Sequence, residues 1–483
     1  MSDWDNWDDL TWEENTLEPI PTNCTTYIYD SSEKLTENYF PDSIIDLTVK
    51  HTQIDTRFLP KYLQRLYIFD DYDKMIMIDF KYLPITLTNL TLGSFFNQCI
   101  KIDFLCALSK LKFGACYNKS IAPNSLPENL IYIKFGSNYN KSLKIGSLPI
   151  NLQKLVFGDR YDKLIKPNVL PKTLSTLKFG RYYTQLIEPD ILPNIIYLDL
   201  GVNYTQTIRK LTLPDSITHL KLSTCFNQKI SFGVLPSNLT SLIFGDNYNI
   251  KIKPGVLPDN LTNIVFGRSF RKSLGHTLPK ALINLTIDNE YNKRIHCGFL
   301  PNSIKKITFN SFNLYNLQPG ALPNSIENLV FTGKCKGTYD FPNTITSLTF
   351  NSDFNKKFST NRESGFVLPP FLTNLTLGSK YNMNIDPNIF SDLFELLSFV
   401  DNYNIELINK LSESVNVIAK YNRHYDYFGV FSQLAFKCQV HIKTHFLDSI
   451  KIDYDIIDTY DDMTIIINPL TYQPKYRAKS ARK

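Results

Sequence analysis

The sequence predicts a mainly β protein: a right-handed parallel β-solenoid of about 22-residue coils with a small mixed α/β cap at its C-terminus. Three observations predict it. A Leu-Pro pair returns about every 22 residues, a few positions of apolar–polar alternation follow it, and a glycine then an aromatic-Asn pair end the alternation. Self-similarity at such a period is the mark of stacked repeats, which overrides the two or three domains that 483 residues would otherwise suggest. A 43% hydrophobic share is enough to build a core. The aromatics are 28 Tyr and 33 Phe against 3 Trp, so single rings occupy a periodic position.

Each element of the coil has a physical reason. Leu-Pro pairs begin at residues 59, 83, 126, 148, 170, 192, 213, 235, 257, 278, 300, 322 and 368. Degenerate starts at Phe40-Pro41, Leu105-Cys106, Phe341-Pro342 and Phe390-Ser391 bring the set to seventeen. The proline has a fixed φ and no N–H, which bars a helix interior and biases the preceding leucine to extended backbone. In the copy from Pro236, Leu242 and Phe244 alternate with Ser241 and Ile243, the period of two that marks a short strand with one face inward. Leu242, Phe244 and Tyr248 are expected in the core and Ser241 exposed on the sheet. Gly245 ends the strand, where a turn favours a residue without Cβ. Tyr248 is a second core rung and Asn249 a turn residue bonding backbone groups; the pair recurs at Phe96-Asn97, Tyr117-Asn118, Tyr139-Asn140 and Phe226-Asn227. Ile252 returns the chain inward and Pro254-Gly255 turns it toward the next copy. Too few residues remain for a helix, so each coil carries one strand and an irregular back. Stacked coils pair these strands in parallel, about 4.8 Å apart.

The pattern LPxxLxxLxFGxxYNxxI, with Phe-Asn alternating with Tyr-Asn over residues 41–408, resembles the FNIP repeat, a relative of the leucine-rich repeat. The resemblance implies leucine-rich-repeat-type coils and a ligand- or protein-binding solenoid of the kind known from slime moulds and amoeba-infecting giant viruses. Many relatives carry an N-terminal F-box that recruits ubiquitin-ligase machinery. The roughly forty residues before the first copy are too few for that module. A substrate-recruiting component of a ubiquitin-ligase pathway, lacking its own F-box, therefore stands as an alternative to a plain protein-binding scaffold.

Four segments are expected: an acidic N-terminal segment and cap at 1–40, the repeat solenoid at 41–408, a C-terminal cap at 409–474 and a basic tail at 475–483. The first segment holds Trp4, Trp7 and Trp12 among acids. It is read as cover for the first coil, as a docking motif that orders on a partner, or as plain disorder. In the C-terminal cap, 415–418 and 438–442 read as strands, Tyr427, Phe428, Phe431, Leu434 and Ala435 as a helical stripe between them, and 449–470 as further strands. The net charge of +6 conceals seven acids without a base in the first eighteen residues and five bases without an acid in the last nine. The body between is mildly basic, too weakly to diagnose nucleic-acid binding. Eight irregularly spaced cysteines without a CxxC pair, no leading signal segment and no membrane-length apolar run predict a cytoplasmic, reduced protein, in the host cytoplasm if viral.

Chemistry-bearing motifs are scarce. No GxxxxGK[ST], GxGxxG or HExxH occurs. Cys438, His441 and His445 are the one local metal-like cluster, but on a strand the two histidines stand about 13 Å apart, beyond common ligation. The run Asp453, Asp455, Asp458, Asp461, Asp462 lacks the glycine of a calcium loop and reads as a solvated face. A catalytic-cysteine ligase domain does not fit a C-terminal segment whose single cysteine is Cys438. No enzyme activity, cofactor or metal is expected.

The informative surface is the predicted concave one, where strand residues flanking the inward position face out. Early coils place Lys110, Lys112, Tyr132, Lys134, Lys154, Lys178, Tyr197, His219 and Lys221 there, while later coils place neutral polar residues. Two readings stand: a solvated sheet whose lysines discourage aggregation, and a stripe that binds an acidic protein or other polyanion. Nucleic acid is disfavoured within the second, because no arginine fork or RNA motif accompanies the lysines. The expected partner is a protein, and the chain itself a monomer.

Overall fold

Leu-Pro pairs head hydrogen-bonded turns. The N–H groups of Leu63, Leu130, Leu152 and Leu239 donate to the carbonyls of Pro60, Pro127, Pro149 and Pro236, each at 3.2 Å. Each turn delivers its leucine inward, fully buried, and the chain then enters a strand. The structure, a computed structural model, describes residues 20–30, 37–50, 55–69, 77–288, 291–310, 312–332, 335–336, 340–350, 354–361, 365–378, 380–391, 393–400, 416–420, 440–444 and 463–467. The chain divides into two compact units, Met1–Ser223 and Thr224–Lys483.

The first unit is a ladder of ten parallel strands: β1 Thr26–Asp30, β2 Asp46–Lys50, β3 Arg65–Phe69, β4 Asn89–Thr91, β5 Lys110–Lys112, β6 Tyr132–Lys134, β7 Lys154–Val156, β8 Thr176–Lys178, β9 Tyr197–Asp199 and β10 His219–Lys221. β1 lies upstream of the Phe40-Pro41 copy and is headed by the degenerate pair Ile20-Pro21, with the Cys24 N–H on the Pro21 carbonyl at 3.0 Å. Pairing keeps the residues of successive copies in line: Leu66, Leu90, Leu111, Ile133, Leu155, Leu177, Leu198 and Leu220 form one rung, each no more than 1% exposed.

The second unit begins with β11 Ser241–Ile243, β12 Asn263–Phe266, β13 Asn284–Ile287 and β14 Lys306–Phe309. A short side pair, β15 Phe312–Asn313 with β17 Cys335–Lys336, flanks β16 Asn328–Phe331. The main ladder runs on through β18 Ser347–Phe350, β19 Asn374–Leu377, β20 Leu396–Val400, β21 Asn416–Lys420 and β22 Val440–Thr444. β23 Met463–Ile467 closes it antiparallel to β22. The strands expected at 415–418 and 438–442, and one of those expected within 449–470, thus fall on β21, β22 and β23. The helical stripe 427–435 lies outside the described residues, as do Trp4, Trp7, Trp12, Cys438, His445, the aspartates at 453–462 and the basic tail. Helix among the described residues is confined to 3-10 turns such as Thr56–Phe58 and Phe80–Tyr82.

The interior is stacked aromatic rings. Phe96, Tyr117, Tyr139, Tyr161, Tyr183 and Tyr204 follow one another with ring centroids 5.8, 5.9, 6.0, 6.1 and 6.1 Å apart and nearly parallel planes. Within a coil Tyr117, Tyr139, Tyr161 and Tyr183 also lie against the strand-end phenylalanine, as in Phe135–Tyr139 at 3.9 Å and Phe157–Tyr161 at 3.7 Å. Ring pairs of this kind contribute about 0.5–1.5 kcal/mol each beyond area burial. The second unit repeats the column as Phe226, Tyr248, Phe270 and Tyr291 at 6.2, 6.3 and 6.2 Å. Leu242, Phe244 and Tyr248 are buried as expected. Ser241 is half-buried rather than exposed, because the next strand leans over it: Asn263 Nδ2 donates to its Oγ at 3.0 Å.

Two further repeat positions are explained only by the stacking. The glycine after the strand is required by close approach: a Cβ on Gly136 would stand 1.7 Å from the carbonyl oxygen of Gly114 one coil earlier. Positive φ is needed instead at the turn before the next Leu-Pro, where Gly255 has φ 77° and Asn168 and Asp190 hold 61° and 63°. The asparagine of the aromatic-Asn pair bonds to the following coil. Asn97, Asn118 and Asn140 Oδ1 accept from the backbone N–H of Asn118, Asn140 and Asp162 at 2.9, 3.0 and 3.1 Å. One copy is irregular: the Pro193 turn closes a residue early, with Ile195 N–H on the Pro193 carbonyl at 2.6 Å, and Leu211 then occupies the positive-φ slot at 66°.

Candidate binding face

Three-residue strands with a buried centre leave two outward positions each, and parallel in-register pairing draws these into two columns. In the first unit one column reads Asp46, Arg65, Asn89, Lys110, Tyr132, Lys154, Thr176, Tyr197, His219. The other reads Thr48, Tyr67, Thr91, Lys112, Lys134, Val156, Lys178, Asp199, Lys221. All nine residues singled out from the early coils therefore share one sheet face. Lys134 is exposed and the other eight are half-buried against their neighbours.

The charge on this face is not uniform. At one side Arg65 Nε donates to Asp46 Oδ2 at 2.7 Å, and at the other Lys221 Nζ donates to Asp199 Oδ2 at 3.1 Å. Asp199 is 9% exposed and its Oδ1 also accepts from the Gly201 N–H at 2.9 Å. Between these pairs, the ten outward positions of β4–β8 hold five lysines and no carboxylate. Two of these ammonium groups lie over tyrosine rings, Lys154 over Tyr132 at 5.1 Å and Lys178 over Tyr197 at 5.2 Å. Cation–π contact of this kind holds the long side chains along the sheet and keeps their charge at its surface. Tyr197 stacks on His219 at 6.4 Å, and Thr218 Oγ1 lies 2.8 Å from His219 Nδ1. Burial pushes the Tyr197 hydroxyl above its ordinary pKa, with the Asp199 charge adding to the effect and Lys221 opposing it. Tyr67 is raised the same way, by burial and then by Asp46.

From the sequence, the lysine stripe is read as running from Lys110 to Lys221, with Tyr197 and Asp199 between Lys178 and Lys221. The structure ends it at Lys178, because Asp199 neutralises Lys221. The aspartate is visible in the sequence, and the signal that finds the pair is the register: positions 22 residues apart face each other. The second unit presents the columns Ser241, Asn263, Asn284, Lys306, Asn328, Ser347, Asn374 and Ile243, Val265, Thr286, Thr308, Val330, Thr349, Thr376. They carry one lysine and no acid.

Among the described residues no three His, Cys, Asp or Glu side chains group as metal ligands, and no helix is long and apolar enough to cross a membrane. What the geometry offers is an ordered, polar sheet surface.

A parallel β-solenoid of 22-residue coils with this interior is a leucine-rich-repeat-like fold. The FNIP Repeat family model matches eight segments, 107–138, 117–160, 139–182, 161–196, 183–225, 226–269, 248–290 and 270–312, so residues 107–312 carry FNIP repeats of leucine-rich-repeat type. Among solved structures it is similar to CroV588, a giant-virus protein described as a novel circular LRR protein. That match has 29% identity and a TM-score of 0.66, and covers 84% of this chain. The chain spans only 64% of the length of CroV588. Two more distant matches share the fold. The TLR13–ssRNA13 complex gives 15% identity and a TM-score of 0.52, covering 86% of this chain and 71% of that one. The mouse RP105/MD-1 complex gives 14% identity and a TM-score of 0.50, covering 84% and 85%. A sequence search of curated proteins finds no match.

Proposed function

We propose that the protein is a non-catalytic, cytoplasmic scaffold that binds an acidic protein partner through the lysine- and tyrosine-bearing sheet face of its first unit. The observation that carries this reading is the run of five lysines on β5–β8 without an acid at any outward position of β4–β8. Neighbouring strands stand about 4.8 Å apart, well inside a Debye length of about 8 Å, so these charges act as one band. A band of that kind speeds the encounter with an acidic surface more than it deepens the final affinity. The half-buried Tyr132 and Tyr197 add rigid apolar area to the same surface, as interface cores do.

The test is to change Lys112, Lys134, Lys154 and Lys178 to Ser together and identify captured partners by affinity purification and mass spectrometry at low and high salt. Capture that falls at low salt, with an unchanged circular dichroism spectrum, supports the reading. Unchanged capture moves the binding site off this face.

A further inference from the structure

We infer that the outer turns of two coils of the first unit, residues 139–151 and 161–173, attach the protein to an anionic lipid surface. The inference is independent of the sheet face, which belongs to the strands of the same region.

Charge picks out the place. Residues 110–178 hold twelve Lys and Arg against three Asp and Glu, a surplus of nine in a chain whose whole surplus is six. Five of these lysines lie outside the strands, in the two outer segments: Lys141, Lys144, Lys163, Lys166 and Lys172. The one carboxylate of those segments is Asp162, next to Lys163. It accepts hydrogen bonds from Thr184 N–H and Gln185 Nε2 at 2.9 and 3.0 Å. The neighbouring coils put acids in their outer turns, Glu128 on one side and Glu188 and Asp190 on the other, so the surplus ends there.

Stacking sets the two segments in register. Asn140 Oδ1 accepts from the Asp162 N–H at 3.1 Å, which brings Lys141 alongside Lys163. Thr173 Oγ1 donates to the Ile150 carbonyl at 2.6 Å, which brings Ile150 alongside Lys172. Lys144 and Lys166 open turns at the same offset, closed by the Ser147 and Val169 N–H groups on their carbonyls at 3.0 and 3.3 Å.

Large aliphatic side chains stand out among these lysines. Ile145 and Ile150 are 66% and 67% exposed, and Leu164 is 52% exposed. The fold does not require them. The position of Ile150 holds Glu128, Lys172, Asn194 and Asp215 in nearby copies, and that of Leu164 holds Ser120 and Ser142.

This mixture fits a lipid surface better than a protein or a nucleic acid. Protein interfaces gather aromatic and arginine anchors and deplete lysine, and single-stranded nucleic acid is held by aromatic stacking. The two segments hold no arginine, and their tyrosines, Tyr139 and Tyr161, are buried. Lysine meets lipid headgroups as a point charge that needs no fixed geometry, and aliphatic tips enter the boundary between headgroups and acyl chains. Among the described residues no helix is long and apolar enough to cross a membrane, and attachment of this kind needs none.

The experiment is co-sedimentation of the full chain with vesicles of phosphatidylcholine, alone or with about 30% phosphatidylserine, in about 0.1 M salt. The parent is expected to pellet with the anionic vesicles and not with the neutral ones. Changing Lys141, Lys144, Lys163 and Lys166 to Ser together should weaken binding at least about fiftyfold, at about fivefold per lysine. Changing Ile145, Ile150 and Leu164 to Ser together should weaken it about tenfold. The sheet-face variant, with Lys112, Lys134, Lys154 and Lys178 changed to Ser, should stay within about threefold of the parent. Circular dichroism checks that each variant keeps its fold. Ile150→Trp tests the tip without removing it: its emission should shift to the blue on adding anionic vesicles, by more than the parent's. No pelleting of the parent, equal pelleting with both vesicles, or no added blue shift overturns the inference. Loss from the lysine variant with none from the aliphatic one also overturns it, and marks a site for soluble polyanions instead. Loss from the sheet-face variant alone removes this attachment and leaves the reading of the sheet face standing.

Discussion

The first and second units share an interior and differ in what they show to solvent. Both stack leucine or isoleucine rungs at no more than 1% exposure, space their aromatic columns at about 6 Å, and press glycine onto the glycine of the preceding coil. Both bond asparagine side chains to the backbone of the next coil, Asn118 to Asn140 in one and Asn227 to Asn249 in the other. Outside, β5–β8 carry five lysines with tyrosine between them, while the outward columns of the second unit's main ladder from β11 to β19 carry Asn, Ser, Thr, Val and Ile with the single Lys306. The interior constrains nearly every inward position, so the outward columns are where coils are free to diverge. A difference confined to those columns is a difference in what the surface meets.

The largest effect should test that the interiors are alike. Gly136→Ala in the first unit sets a Cβ 1.7 Å from a backbone oxygen, and Gly267→Ala in the second sets one at 2.3 Å. Each is expected to cost at least about 3 kcal/mol in chemical denaturation, the first more than the second, since backbone cannot yield cheaply. Tolerance in one unit alone would break the equivalence.

A smaller change should expose a defect particular to the first unit. Leu211 holds φ 66° at 77% exposure, where the corresponding slots of the second unit hold Gly255, Gly298 and Gly320 at 77°, 78° and 73°. Leu211→Gly is expected to raise stability by about 1 kcal/mol, because it relieves left-handed strain without removing a core contact. Loss of stability would show that the leucine makes a contact worth more than its strain.

The tyrosine column offers a comparable increment. Among the described residues the hydroxyls of Tyr139 and Tyr161 are buried without a hydrogen-bond partner, and burial pushes both far above the ordinary phenol pKa. The second unit uses Phe226 and Phe270 at the same position of the coil. Tyr161→Phe should therefore be neutral or stabilising by about 1 kcal/mol, read by thermal melting. A clear loss would mean the hydroxyl has a partner of its own.

The smallest expected effect is a pH dependence. Asp162 replaces asparagine in the side-chain ladder of the first unit. Burial raises its pKa, but hydrogen bonds from Thr184 N–H at 2.9 Å, Gln185 Nε2 at 3.0 Å and Thr184 Oγ1 outweigh that and leave it below the ordinary carboxylate value. A folded pKa below the unfolded one contributes stability above the unfolded value, near 4, that is lost as pH falls through the folded value. Asp162→Asn should remove that acid-limb loss in melts taken from pH 6 to pH 3. An identical acid limb in both proteins would assign it to other carboxylates.

Strand positions were legible because period-two alternation between a fixed turn and a glycine leaves one register: Asn89–Thr91, Lys110–Lys112 and Ser241–Ile243 are the residues the alternation marks. β1 was not, since the pair before Thr26–Asp30 is the degenerate Ile20-Pro21, whose turn brings Cys24 rather than a leucine onto the Pro21 carbonyl at 3.0 Å, and the strand is held by pairing with β2. The reasons for the repeat were only half legible. Gly136 and Asn118 look like turn residues within one coil, yet both act on a neighbouring coil, and a single copy holds no trace of that. The face followed the same rule. Its nine residues were found from alternation alone, while the boundary of its charge came from Asp199 meeting Lys221 across the strand gap.

The central claim is that the outward columns of the first unit, and not those of the second, carry recognition. The direct measurement is poly-glutamate binding by fluorescence anisotropy at low salt with two full-length variants. One changes Lys112, Lys134, Lys154 and Lys178 to Ser; the other changes Asn263, Asn284, Asn328 and Asn374 to Ser. The account predicts at least about a tenfold loss for the first, vanishing as salt rises, and no change for the second. Equal losses from both, or a loss only from the second, would contradict it.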